Sequence, residues 1–122
     1  MLERSSSQSK VNYQVLESTQ HYLGALTEIP GLARTYSLLG DPTRLRIVLS
    51  LAHTGELSVS DLADILEMDT SAISHQLRKL YDGGLVDKKR EGPSVYYRLQ
   101  VPAMREALAT ARALLVEASD SR

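Results

Sequence analysis

The stretch SVSDLADILEMDTSAISHQLRKLYDG, Ser58 to Gly83, decides the architecture. Its first part places Val59, Leu62, Ala63 and Leu66 at the i, i+3, i+4, i+7 spacing that gives a helix one apolar stripe. A helix is expected from Ser58 to Glu67, with Asp61 favouring its positive amino end. Met68-Asp69-Thr70 then forms a short turn. In SAISHQLRKLYDG, Ile73, Leu77 and Leu80 point inward and leave Ser71, Ser74, His75, Arg78 and Lys79 outward. Gly83-Gly84 stops this second helix.

Downstream the period drops from 3.6 to 2. LVDKKREG and PSVYYRL alternate inward and outward around the turn residues Glu91-Gly92-Pro93-Ser94, which reads as a β-hairpin with Lys88 and Arg90 along one face. Tyr96 and Tyr97 fall on opposite faces, one toward the core and one over the hairpin. A last helix is expected from about Pro102 to Ala118, with Met104, Leu108, Ala111, Leu115 and Ala118 in one stripe. Upstream, Asp41 reads as an N-cap with Pro42 at the first helical position. RLRIVLSLAH continues that helix with Leu45, Val48, Leu49 and Ala52 inward, up to Gly55. Pro30-Gly31 is expected to interrupt the chain between a helix over 11–26 and a short one over 32–39. Residues 1–10, MLERSSSQSK, lack periodicity and read as a disordered tail, leaving 11–120 as one domain.

The resulting order is α-α-α-α-α-β-β-α: mainly α with a small β-hairpin wing, a winged helix-turn-helix. The chain has 122 residues, 43% hydrophobic, with tyrosine its only aromatic type, so the core is aliphatic. The net charge of −1 argues against nucleic acid until its distribution is examined. Between Ser71 and Arg98 six basic residues face three acidic ones, while the rest of the chain is acidic. A basic face on an acidic body is the footprint of a small DNA binder. The absence of cysteine excludes disulfides and thiolate metal sites. No apolar run approaches the ~20 residues that span a bilayer, so the expected location is the bacterial cytoplasm. No nucleophile elbow, P-loop, dinucleotide fingerprint or HExxH motif is present, so the chain does not read as an enzyme.

LGDPTRLRIVLSL, ELSVSDLADIL, TSAISHQLRKLYDGGLV and KKREGPSVYYRL resemble, in order and spacing, the successive signature segments of the ArsR/SmtB family of bacterial repressors. The resemblance covers roughly residues 38–99. It implies a homodimer, held by its first and last helices, that binds an inverted-repeat operator on double-stranded DNA and releases it when an effector binds. By position, it implies DNA contacts from Thr70, Ser71, Ser74 and His75, with Gln76, Arg78 and Lys79 as neighbours, and from Lys88, Lys89, Arg90 and Ser94 in the wing. The alternative reading of Ser71 is a helix cap, and that of His75 a surface histidine. Arg44 packs or pairs near its helix start rather than meeting DNA.

The chain departs from the family at the two places where the resemblance puts metal ligands. Ser58 and Ser60 stand where cysteines bind soft ions, and hydroxyls are poor ligands for these. In the last helix Val101, Ala103, Leu114 and Glu117 stand where four ligands would be, and one carboxylate does not make a tetrahedral site. Neither usual site is therefore expected to hold metal. Glu17 and His21, four apart on the first helix, read as a surface pair or as ligands that, with Glu117 of a second chain, would take nickel, zinc or manganese. A small organic inducer, a partner protein or no effector at all are the other readings. A winged helix that binds protein instead of DNA is the alternative function.

Overall fold

The structure, a computed structural model, describes residues 11–120; the expected tail over 1–10 lies outside the described residues. The side chains of Ala103, Ala107, Leu108, Ala118, Ser119 and Asp120 also lie outside them. The chain forms two compact units divided between Pro30 and Gly31.

In the first unit α1 spans Tyr13–Ala25. Asn12 caps it, its side-chain oxygen accepting the Val15 N–H at 2.9 Å. The helix buries no residue, and Tyr13, Val15, Tyr22 and Leu23 are exposed. The unit boundary falls in the first turn of α2, Ile29–Leu39. The expected break at Pro30-Gly31 is therefore corrected. Pro30 is the second residue of this helix, where the N–H it lacks would have had no partner in the ladder.

The second unit carries the core. Asp41 caps α3, Pro42–Thr54, accepting the Arg44 N–H at 3.0 Å. The buried stripe of α3 is Ile47, Val48 and Leu51, which corrects the expected one: Leu45 is 40% and Leu49 59% exposed. RLRIVLSLAH is apolar on two overlapping stripes, and contacts outside the helix choose between them. A strand absent from the expectation, β1 (Leu57–Ser58), follows. It pairs antiparallel with β3 (Ser94–Leu99), Leu57 with Tyr97 and Ser58 with Tyr96, and with β2 (Val86–Glu91) beyond β3 the sheet has three strands ordered β1-β3-β2.

α4, Val59–Leu66, opens on a capping box in which Ser58 and Asp61 each accept the other's backbone N–H. The turn to the next helix is Glu67-Met68-Asp69, one residue earlier than expected. α5, Thr70–Asp82, buries Ile73, Leu77 and Leu80 completely, as their spacing predicts. Each contributes about 1.5–3 kcal/mol on leaving water. β2 (Val86–Glu91) and β3 (Ser94–Leu99) form the hairpin, closed by Gly92-Pro93. Gly92 has φ 61, a positive angle at the first turn residue that glycine adopts without strain. α6, Val101–Asp120, is joined to the hairpin root: Gln100 donates its backbone N–H to Leu85 and its amide to Asp87 at 2.6 Å.

Candidate nucleic-acid interface

The polar face of α5 exists because its opposite face is fixed in the core. With Ile73, Leu77 and Leu80 sealed against α3 and α4, Thr70, Ser71, Ser74, His75, Arg78 and Lys79 are all exposed. Asp69 caps the helix through the Ala72 N–H at 2.8 Å, so Ser71 is not the cap. The Ser71 hydroxyl makes only a 3.4 Å contact to the same carboxylate.

Gln76 differs from its neighbours. It is half-buried on the flank of α5, and its Oε1 accepts from Arg44 Nη1 at 3.1 Å. The same guanidinium donates through Nε to the Leu38 carbonyl at 2.8 Å and through Nη2 to that of Ser37 at 3.4 Å. Arg44 therefore ties the end of α2 and the start of α3 to α5. The sequence places it near a helix start, but none of these partners is legible there.

In the wing Lys88 and Arg90 share a face with buried Val86, while Lys89 lies on the other. Lys88 Nζ sits 4.4 Å from the centre of the exposed Tyr81 ring, a cation–π contact worth about 0.5–1 kcal/mol in water. Lys89 pairs with Glu91 at 2.8 Å and Glu56 at 3.8 Å, and these carboxylates, Glu91 above all, raise its pKa. Arg90 makes no ion pair among the described residues and is exposed. Ser94 opposes Glu91 across the turn.

A cleft of about 260 Å³ lies where α5 meets the wing, lined by Ser58, Val59, Ser60, Ser74, Pro93, Ser94 and Val95. It brings Ser74 and Ser94, distant in sequence, to one place. It also adds Ser58 and Ser60, which the sequence shows only as replaced metal positions. The signal that could have found them is the capping box, which fixes where α4 begins beside the sheet.

A profile described as "Bacterial regulatory protein, arsR family" matches residues 41–88. The chain is 39% identical over 92 residues to the transcriptional repressor SmtB homolog of Synechocystis, covering 75% of this chain and 69% of that protein. The chain belongs to the ArsR/SmtB family. A cadmium resistance regulator CadC homolog of Staphylococcus aureus is 41% identical over 68 residues, 56% of each chain. An ArsR-like transcriptional regulator from Rhodococcus superposes with TM-score 0.71 at 26% identity, covering 79% of this chain and 90% of its own. ArsR/SmtB proteins are DNA-binding transcription regulators, not enzymes, and the winged helix-turn-helix expected from sequence is the fold observed. Among the described residues no helix is long and apolar enough to cross a membrane.

The ArsR/SmtB metal positions do not fit a metal in this chain. The Ser58 hydroxyl already accepts the Asp61 N–H at 3.1 Å, and Ser60 is an exposed hydroxyl. Val101 is exposed, Leu114 half-buried, and the side chain of Ala103 lies outside the described residues. Glu17 and His21 are exposed on α1 and Glu117 is exposed on α6. Among the described residues of one chain, no three His, Asp or Glu side chains are grouped closely enough to hold an ion.

Proposed function

We propose that this protein is a cytoplasmic homodimeric repressor that lays α5 in the major groove of an inverted-repeat operator and sets its wing against the adjacent backbone. The observation that carries this reading is the exposed polar face of α5, held outward by three fully buried residues, beside a wing whose strand β2 carries three exposed cations. Ser74 and His75 donate and accept at base edges, Thr70 and Ser71 meet the groove wall, and Arg78, Lys79, Lys88, Lys89 and Arg90 neutralise phosphates. The dimer is supported by apolar side chains left in water on both flanking helices: Leu115 is 72% and Leu23 52% exposed. A two-fold axis lets one short helix per chain read an inverted repeat.

Release by an effector completes the reading. The Staphylococcus aureus relative is a cadmium resistance regulator, but this chain lacks the donors at the usual positions. An organic inducer, a partner protein, or nickel, zinc or manganese at Glu17 and His21 with Glu117 of a second chain are the remaining effectors. The test is selection from a randomised duplex library, then titration of the enriched site at several salt concentrations. The expected site is an inverted repeat with half-site centres about one helical turn apart. No enrichment, with retained fold, would transfer the reading to a protein-binding winged helix.

A further inference from the structure

We infer that Arg44 positions Gln76 so that this recognition-helix residue presents only N–H donors to DNA, making Gln76 a specificity determinant that reads guanine and rejects adenine. The inference rests on α5 being the recognition helix. A free glutamine amide pairs with adenine through both ends, accepting from N6 and donating to N7. Here the acceptor end is not free. Oε1 is held at 3.1 Å by Arg44 Nη1. Arg44 cannot follow a rotating amide, because its Nε is fixed to the Leu38 carbonyl at 2.8 Å and its Nη2 lies at the Ser37 carbonyl. The charge on the guanidinium strengthens its hold on the amide oxygen relative to a neutral donor.

The other end of the amide is open. Nε2 makes no hydrogen bond among the described residues, and no buried polar side-chain atom among them lacks a partner, so Nε2 faces water. A fixed amide that turns its oxygen toward α3 offers the groove two N–H donors and no acceptor. Guanine, with acceptors at both O6 and N7, matches that pattern, and cytosine, with its N4 donor, opposes it. Anchoring Arg44 on α2 carbonyls also makes the base preference dependent on where the end of α2 sits.

The experiment is library selection with the full chain, read as base preference at each position of the half-site. The wild type is compared with Gln76→Glu, Gln76→Met and Arg44→Ala, and thermal unfolding is followed in parallel. Gln76→Glu keeps the volume and the Arg44 contact but removes the donor, so one position moves from guanine toward cytosine, with guanine losing on the order of tenfold. Gln76→Met makes that same position indifferent. Arg44→Ala frees the amide and raises adenine there to at least the level of guanine. If that variant does not fold, the two Gln76 variants decide. Even loss across all positions, or none, in the Gln76 variants would overturn the inference, as would a wild-type preference for adenine at the Gln76-dependent position. Failure of the wild type to enrich any sequence would instead overturn the DNA-binding reading itself, before any variant is made.

Discussion

The cations of the wing stand under different constraints. Arg90 is exposed and makes no ion pair among the described residues, whereas Lys89 must leave Glu91 and Glu56 to meet a phosphate. Arg90→Ala is therefore expected to weaken binding to every duplex and to reduce the salt slope by about one unit. Lys89→Ala has a smaller effect of the same kind, and Glu91→Gln strengthens binding by releasing Lys89. Ser74→Ala and His75→Ala behave differently, losing operator preference by about 1–3 kcal/mol per base contact with little change on random DNA. Fluorescence anisotropy on both duplexes at three salt concentrations separates the two classes. Identical behaviour of the helix and wing variants on the two duplexes would remove the division of labour. These exposed residues were legible in sequence because amphipathic spacing tells which side of a helix is wet. The contact of Gln76 with Arg44 was not, nor that of Lys89 with Glu56, since only the fold brings these partners near.

At the scale of elements, α4 and α5 end alike with different residues. After α5, Gly84 has φ 78, and the Gly84 and Leu85 N–H groups bond back to the Tyr81 and Leu80 carbonyls. After α4, Glu67 adopts φ 54, with the Glu67 and Met68 N–H groups on the Asp64 and Ala63 carbonyls. Both are Schellman closures, and a side chain at the left-handed position is strained where glycine is not. Glu67→Gly should raise unfolding free energy by about 0.5–1 kcal/mol, measured by urea denaturation; destabilisation would show that the carboxylate has a role beyond the turn. Gly83→Ala should destabilise by about 1–3 kcal/mol, because a Cβ there would lie 2.2 Å from Leu38 Cδ1 and one of them must move. The amino end of α4 adds a pH dependence. Hydrogen bonds from the Ser58 backbone and hydroxyl hold the Asp61 carboxyl below its ordinary value. The capping box is thus complete above the unfolded-state pKa and lost as pH falls through the lower folded-state one. Asp61→Asn should flatten the acid limb of the stability profile and leave neutral pH changes small; an unchanged acid limb would assign it to other carboxylates. Cap residues and long single stripes made most elements readable. The α3 register was not, because two stripes compete there, nor was β1, because two residues carry no period and are ordered only by pairing with Tyr96 and Tyr97.

Across the whole molecule, apolar surface and missing metal donors lead to linked expectations. Tyr22 and Leu23 on α1 and Leu115 and Val116 on α6 remain exposed in one chain, so sedimentation at micromolar concentration should give twice the chain mass. Release from DNA requires an effector that binds the DNA-free dimer better than the DNA-bound one, and the difference in affinity sets the size of the response. A metal supplies such a difference only where several ligands converge. At one usual position the Ser58 hydroxyl is engaged in a helix cap, and at the other Val101 and Leu114 offer hydrocarbon. Stoichiometric zinc, cadmium or arsenite should therefore leave the operator complex intact through these sites. If a metal acts, the proposed anchor is His21 with Glu17, completed by Glu117 of a second chain, and such an oxygen-rich set prefers nickel, manganese or zinc to soft ions. Calorimetry on the wild type and His21→Ala, with anisotropy on the enriched duplex, distinguishes these outcomes. Zinc binding abolished by His21→Ala supports the α1 anchor. Tight zinc binding that survives His21→Ala, coupled to loss of DNA, would overturn it and require ligands outside both the usual positions and α1.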